Sequence, residues 1–148
     1  MLLKARVAEP LRGRARPPGD KSISHRALIL GALAHGVSEI EGLLESEDVM
    51  NTAEAVRLLG AQAEKTGDST WRVQGAGGFR QPSETIDCGN SGTAARLLVG
   101  AVSGFKLSAR FDGDQSLRTR PMNRVIAPLS QMGARFDSTE NRLPLIVH

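Results

Sequence analysis

Two almost unbroken apolar runs, Ala27 to Ala34 and Ala94 to Val102, stand out from the alternating stretches around them. Runs of this kind predict helices buried on all sides. The first is expected to end near His35-Gly36, with Gly36 as a left-handed cap, and the second at Gly104. Val37 to Ile40 reads as a short strand. Ser46-Glu47-Asp48 opens a helix through Leu59, with acids in the first turn where the helix dipole favours them, and Gly60 stops it. Strands at Ala61 to Thr66 and Thr70 to Gln74 form a hairpin across Gly67-Asp68-Ser69. Lys106 to Phe111 alternates as a strand with one wet face does. Pro121 suits the start of a helix running to Met132, and Gly133-Ala134 ends it. Ala134 to Asp137 and Leu143 to Val147 give a closing hairpin. At the other end, Leu2 to Val7 alternates like a strand and leads into a basic loop carrying Arg12, Arg14 and Arg16.

The element order recurs. Leu30-Gly31-Ala32 matches Val99-Gly100-Ala101, and Leu59-Gly60-Ala61 matches Met132-Gly133-Ala134. The chain therefore holds an internal repeat of roughly 70 residues with the pattern βαβαββ. An α/β fold follows in which sheets cover buried helices and face water.

Composition narrows the function classes. With 40% hydrophobic residues, 3% aromatics and no Tyr, the core is built from Leu, Val, Ile and Ala. The net charge of +3 is mild, and so few aromatics leave no stacking platform for bases, which argues against a nucleic-acid partner. One Cys excludes an internal disulfide and a multi-Cys zinc site, and it fits a reducing cytoplasm. No apolar run reaches membrane-spanning length. The Arg-rich start suggests a transit peptide only weakly, since Glu9 interrupts it and Ser is not enriched.

Three stretches carry candidate chemistry. In Pro17-Pro18-Gly19-Asp20-Lys21-Ser22-Ile23-Ser24-His25-Arg26, two prolines exclude helix before the turn and Gly19 permits a tight bend. Asp20, Ser22 or Ser24 can cap the helix that follows. Free amides, the dipole, Lys21 and Arg26 would together seat an anion, most simply a phosphate. Composition alone reads the stretch equally well as a capped helix with two solvated cations. The second stretch, Asp87-Cys88-Gly89-Asn90-Ser91-Gly92-Thr93, occupies the same place in the second repeat. Gly92 has no side chain, so a ligand can approach the backbone there. The third is Asp114 to Met122, where Pro121 restricts Arg120 to an extended conformation and so aims a guanidinium that suits a carboxylate or phosphate. Arg118 reads as a solvated arginine, Cys88 as a small buried residue, His25 as holding the turn or acting as a base, and Trp71 and Phe79 as packing residues.

Lys21-Ser22-Ile23-Ser24-His25-Arg26, Gly89-Asn90-Ser91-Gly92-Thr93 and Arg120-Pro121-Met122 together resemble, in order, spacing and identity, the 5-enolpyruvylshikimate-3-phosphate (EPSP) synthases. Ser91 stands where that family has Ala, and Leu97 near a place where it often has Pro. The resemblance implies an incomplete enolpyruvyl transferase-like inside-out α/β barrel. It also implies transfer of the enolpyruvyl group from phosphoenolpyruvate to the 5-hydroxyl of shikimate-3-phosphate, releasing phosphate, in aromatic amino acid biosynthesis in the cytoplasm, with neither metal nor organic cofactor. By the same resemblance Lys21, Ser22 and Arg26 bind shikimate-3-phosphate, and Lys21, Gly92 and Arg120 bind phosphoenolpyruvate. Lys21 is the catalytic residue, and glyphosate enters the phosphoenolpyruvate site because Gly92 is kept.

The family is about three times as long, with two domains of three βαβαββ units each. Residues 1–18 are then an N-terminal strand and linker belonging to the second domain, and residues 19–148 the first two units of the N-terminal substrate-binding domain. The ending at His148 fits a fragment or split boundary. A chain of this extent is expected to need a complementary C-terminal polypeptide for turnover. The rival readings are a non-catalytic phosphate-binding module and a UDP-N-acetylglucosamine enolpyruvyl transferase, against which Lys21 to Arg26 argues.

Overall fold

The computed structural model describes every residue except Met1, Leu2, Ala8 and Leu11. The elements run α1 (Lys21–Leu33), β1 (His35–Glu41), α2 (Glu47–Leu58), β2 (Gln62–Gly67), β3 (Thr70–Ala76), β4 (Ile86–Asp87), α3 (Gly92–Val102), β5 (Ala109–Asp112), α4 (Gln115–Arg118), α5 (Asn123–Gln131), β6 (Phe136–Ser138) and β7 (Leu145–Val147). They form two sheets, ordered β1-β3-β2 and β4-β5-β7-β6. All pairings are antiparallel except that of β4 with β5.

The repeat is visible in this topology. β1, β3 and β2 stand to one another as β5, β7 and β6 do, each set following one buried helix and preceding or enclosing another. The second unit is βαβαββ with the four-residue α4 inserted between β5 and α5. The first is αβαββ, because nothing among the described residues occupies beside β1 the place that β4 takes beside β5. The alternation from Leu2 to Val7 does not supply that strand here. Residues 3–7 pair with no strand, Leu3 and Val7 are 88% and 104% exposed, and Leu2 lies outside the described residues.

The sheets cover the helices and face water as the repeat requires. Along β3, Trp71, Val73 and Gly75 point inward, while Arg72, Gln74 and Ala76 point out. Leu28, Ile29 and Ala32 of α1 join Ala94, Ala95, Leu98, Val99 and Val102 of α3 in one core. The expectation that α1 is buried on all sides needs correction, however. Ile23 and Leu30 are 67% and 63% exposed, because two units enclose only part of the helix surface.

Three boundaries also differ from the sequence reading. The first helix starts inside the motif, at Lys21, and ends at Leu33; Gly36 does have a positive φ of 92° but lies in β1. β5 begins at Ala109 rather than Lys106. The Gln81 side-chain amide takes the N–H of Ser108 at 2.7 Å and donates to its carbonyl at 2.5 Å, so a side chain stands where a strand would pair. The last helix starts at Asn123, with Pro121 just before its cap.

Two glycines report how tightly helix and sheet meet. A Cβ at Gly75 would overlap the carbonyl oxygens of Gly31 and Ala34, whereas one at Gly100 would meet nothing within 4 Å. Gly75→Ala should therefore cost on the order of 2 kcal/mol through overpacking against backbone. Gly100→Ala, in a helix interior, should gain about 0.5–1 kcal/mol. Urea denaturation of the two variants checks this, and equal shifts of the same sign would contradict it.

Candidate functional site

The amino ends of α1 and α3 border one hollow of ≈ 610 Å³ lined by Lys21, Asp48, Asn90, Gly92, Thr93, Arg96, Leu97, Arg120 and Arg124. Local sequence builds both ends the same way. Asp20 caps α1 by accepting from the Ile23 N–H at 2.8 Å, and Ser91 caps α3 by accepting from the Ala94 N–H at 3.1 Å. Neither cap reaches the amides of Lys21, Ser22 or Thr93, so these first-turn donors and the positive dipole ends remain for a ligand.

Gly19 matters for close approach rather than for a bend: a Cβ there would overlap the Gly42 carbonyl oxygen. Ser24, a possible cap by sequence, instead ties α1 to the next segment. Its hydroxyl donates to the Asp20 carbonyl at 2.8 Å and accepts from the Leu44 N–H at 3.0 Å.

Lys21 stands at the hollow with its side chain 49% exposed and forms an ion pair with Asp48 of α2. The acidic first turn of α2, read from sequence as dipole compensation, thus also supplies the counter-ion of the site lysine. Behind this pair sits His25, fully buried, with Nδ1 2.7 Å from the Thr52 hydroxyl. That hydroxyl also lies 3.3 Å from the Asp48 carbonyl, to which it donates. Burial lowers the pKa of His25; the Asp48 carboxylate opposes this, and Lys21 and Arg26 add to it. His25 joins α1 to α2 and lines no part of the hollow, so the structure does not support it as a base.

Arg120 is held from the side. Its Nη2–H donates to Asn90 Oδ1 at 2.5 Å and to Ser116 Oγ at 3.2 Å. Asn90 Nδ2–H in turn donates to Asp114 Oδ2 at 2.6 Å, and Asp114 Oδ1 caps α4 through the Leu117 N–H. The Asn90 hydrogen bond and the Leu117 amide hold the Asp114 carboxyl below its usual range. Arg118 is not merely solvated: its Nε–H and Nη2–H donate to the two Asp112 oxygens at 2.8 and 2.6 Å, and this holds the Asp112 carboxyl low.

Of the residues singled out by sequence, Lys21, Gly92 and Arg120 come together at the hollow. Ser22 and Arg26 stand beside it on α1, both exposed, with Arg26 Nη1–H donating back to the Ser22 carbonyl at 3.0 Å. Sequence reasoning missed Asp48, Asn90, Arg96 and Arg124. Helical spacing could have found one of them: Arg96 lies one turn past Gly92 on α3. Cys88 is buried, and that burial pushes its thiol up to about 12. Trp71 and Phe79 are core residues, with the Trp71 indole N–H donating to Glu45 and Phe79 packed on Phe105.

This fold and hollow define a class: a two-unit α/β repeat protein in which two helix N-termini, four cations and one carboxylate meet at an open surface. Among the described residues no helix is long and apolar enough to cross a membrane. Residues 6–148 match the family model of EPSP synthase (3-phosphoshikimate 1-carboxyvinyltransferase). A 3-phosphoshikimate 1-carboxyvinyltransferase of Phenylobacterium zucineum is 58% identical over 144 residues, covering 97% of this chain and 32% of that protein. One of Rhodopseudomonas palustris is 60% identical over 147 residues, covering 97% and 33%. The EPSP synthase structure from Acinetobacter baumannii superposes with a TM-score of 0.86 at 38% identity, over 91% of this chain and 31% of that one. The chain belongs to the EPSP synthase family. It spans about a third of the length of the curated relatives it matches.

Two predictions follow from the buried groups of this region. Because the folded-state pKa of His25 lies below its ordinary 6.5, the unfolded chain binds the extra proton first as pH falls. Stability should therefore be full above about pH 6.5 and decline below it. Denaturation midpoints between pH 8 and 5 should show this slope, and His25→Gln should flatten it. An unchanged slope in that variant would contradict the assignment. Cys88 should resist alkylation at pH 8 until denaturant is added.

Proposed function

We propose that this chain contributes the phosphoenolpyruvate seat and part of the shikimate-3-phosphate seat of an enolpyruvyl transferase. The supporting observation is the convergence of Lys21, Gly92 and Arg120 on one hollow at two helix N-termini. Four cations against one carboxylate suit a small ligand carrying both phosphate and carboxylate. Lys21 and Arg120 take the phosphoenolpyruvate charges, and Gly92 lets the ligand approach the backbone. Ser22 and Arg26, next to Lys21 on α1, take the phosphate of shikimate-3-phosphate.

In the reaction, the shikimate 5-hydroxyl adds across the enol double bond: its oxygen bonds the enol carbon and gives up its proton, and the methylene gains one, with no net change in protons. The resulting tetrahedral adduct then expels phosphate and loses a proton to restore the double bond. Charge shifts from carbon to the leaving phosphate along this path, and preorganised Lys21 and Arg120 stabilise it. Lys21 pairs with Asp48 while the seat is empty and exchanges this partner for the ligand.

The hollow is lined by exposed and half-buried side chains around buried Gly92, and turnover needs a site that excludes water and aligns both substrates. The chain therefore acts with a complementary C-terminal polypeptide, which also covers the exposed Ile23 and Leu30. The site admits glyphosate in competition with phosphoenolpyruvate.

Calorimetry and phosphate release test this. Alone, the chain should bind shikimate-3-phosphate and phosphoenolpyruvate without releasing phosphate. Mixed with the C-terminal two-thirds of the Phenylobacterium relative it should release phosphate, and Lys21→Ala should lower that rate ~10²-fold or more. Binding of neither substrate would sink the reading. Binding without release in the mixture would favour a phosphate-binding module, and release only with UDP-N-acetylglucosamine would favour the sister enzyme.

A further inference from the structure

Arg96 stands apart from the other cations of the hollow. It lies one turn into α3, and its two terminal nitrogens are both engaged with backbone. Nη1–H donates to the Gly92 carbonyl at 2.9 Å, and Nη2–H donates to the Pro121 carbonyl at 2.8 Å. One rigid guanidinium thus joins the first residue of α3 to the residue that follows Arg120. Neither bond is to a carboxylate, so the pair of contacts fixes geometry without neutralising charge.

The bare face of Gly92 is where this geometry is tightest. A Cβ there would come within 2.6 Å of Arg96 Nη1 and 3.3 Å of Arg120 Nη1. Both are ends of flexible side chains, so a methyl group at this position would be accommodated by displacing the guanidinium groups rather than the helix. Position 92, Arg96 and Arg120 therefore form one mechanical unit. A lysine cannot replace the fork, because an ammonium on a flexible stem cannot hold two carbonyls at a fixed separation.

From these contacts we infer that Arg96 is a positioning residue that sets the separation of Arg120 from the Gly92 backbone, and with it affinity for phosphoenolpyruvate. The ligand named here rests on the function proposed above; the clamp itself does not. The full 148-residue chain is compared with Arg96→Gln, Arg96→Lys, Gly92→Ala and the Gly92→Ala/Arg96→Gln double variant.

Two readouts are taken: affinity for phosphoenolpyruvate and shikimate-3-phosphate, and amide hydrogen exchange of the unliganded chain. The amides of Arg120 and Met122, bonded to the Leu117 and Asn141 carbonyls, should exchange faster in both single Arg96 variants. Both should lose phosphoenolpyruvate affinity about tenfold, while shikimate-3-phosphate affinity stays within about twofold. In the exchange readout Gly92→Ala should add little once Arg96 is Gln, because the two changes disturb the same unit; on phosphoenolpyruvate affinity it should still act, since the methyl group occupies the face the ligand approaches. Wild-type affinity in Arg96→Lys would show that charge alone is used, and would overturn the inference. So would unchanged exchange at Arg120 and Met122. If the wild-type chain binds no phosphoenolpyruvate, the proposed function fails, and the exchange measurement alone decides the clamp.

Discussion

Two positive helix ends lie side by side at one surface, and most of the architecture can be traced to that juxtaposition. Each end carries about half an elementary charge, so packing α1 beside α3 brings like charges together. Both helices enter one core through small and aliphatic residues: Leu28 and Ala32 of α1, and Ala94, Ala95 and Leu98 of α3. The electrostatic strain is met locally. Asp20 and Ser91 each satisfy one amide of the first turn, and Asp48 brings a carboxylate from the first turn of α2 to Lys21. Lys21 and Thr93, whose amides the caps leave without a partner, line the hollow, where a bound anion would complete what the caps leave undone.

Four of the arginines show two kinds of partner. Arg118 is matched by the Asp112 carboxylate and Arg72 by Glu39, as surface cations commonly are. Arg96 and Arg120, at the hollow, are held by neutral oxygens of carbonyls, an amide and a hydroxyl. The Asp114 carboxylate stands one hydrogen bond further out, behind Asn90. Neutral supports fix a guanidinium without consuming its charge, and that is the condition for preorganised electrostatic stabilisation of an arriving anion.

Much of this was legible in the sequence. The repeat, the two apolar helices and the hairpins follow from periodicity and glycine placement, and the three motifs mark the residues that converge. Of the three cap residues the motif offers, Asp20 takes the role by accepting from the Ile23 N–H, while Ser24 bonds the Leu44 amide. What periodicity could not supply were contacts made by side chains across elements. Gln81 truncates β5 from a loop. Asn90 reaches over to both Arg120 and Asp114, and His25 bonds α2 rather than its own turn. The four-residue α4 rests on a single Asp114 cap, too short a signal for any periodic pattern. The alternation from Leu2 to Val7 shows the converse: among its described residues, 3–7 form no strand.

The claim on which the account stands is that α1 and α3 contribute to one anion seat rather than two separate helix ends. Titration of the isotopically labelled chain with phosphoenolpyruvate, followed through the amide resonances of Ser22 and Thr93, tests it most directly. The account predicts that both resonances move together along one saturation curve, and that Lys21→Ala weakens both equally. Movement of one alone, or two curves with different midpoints, would contradict it.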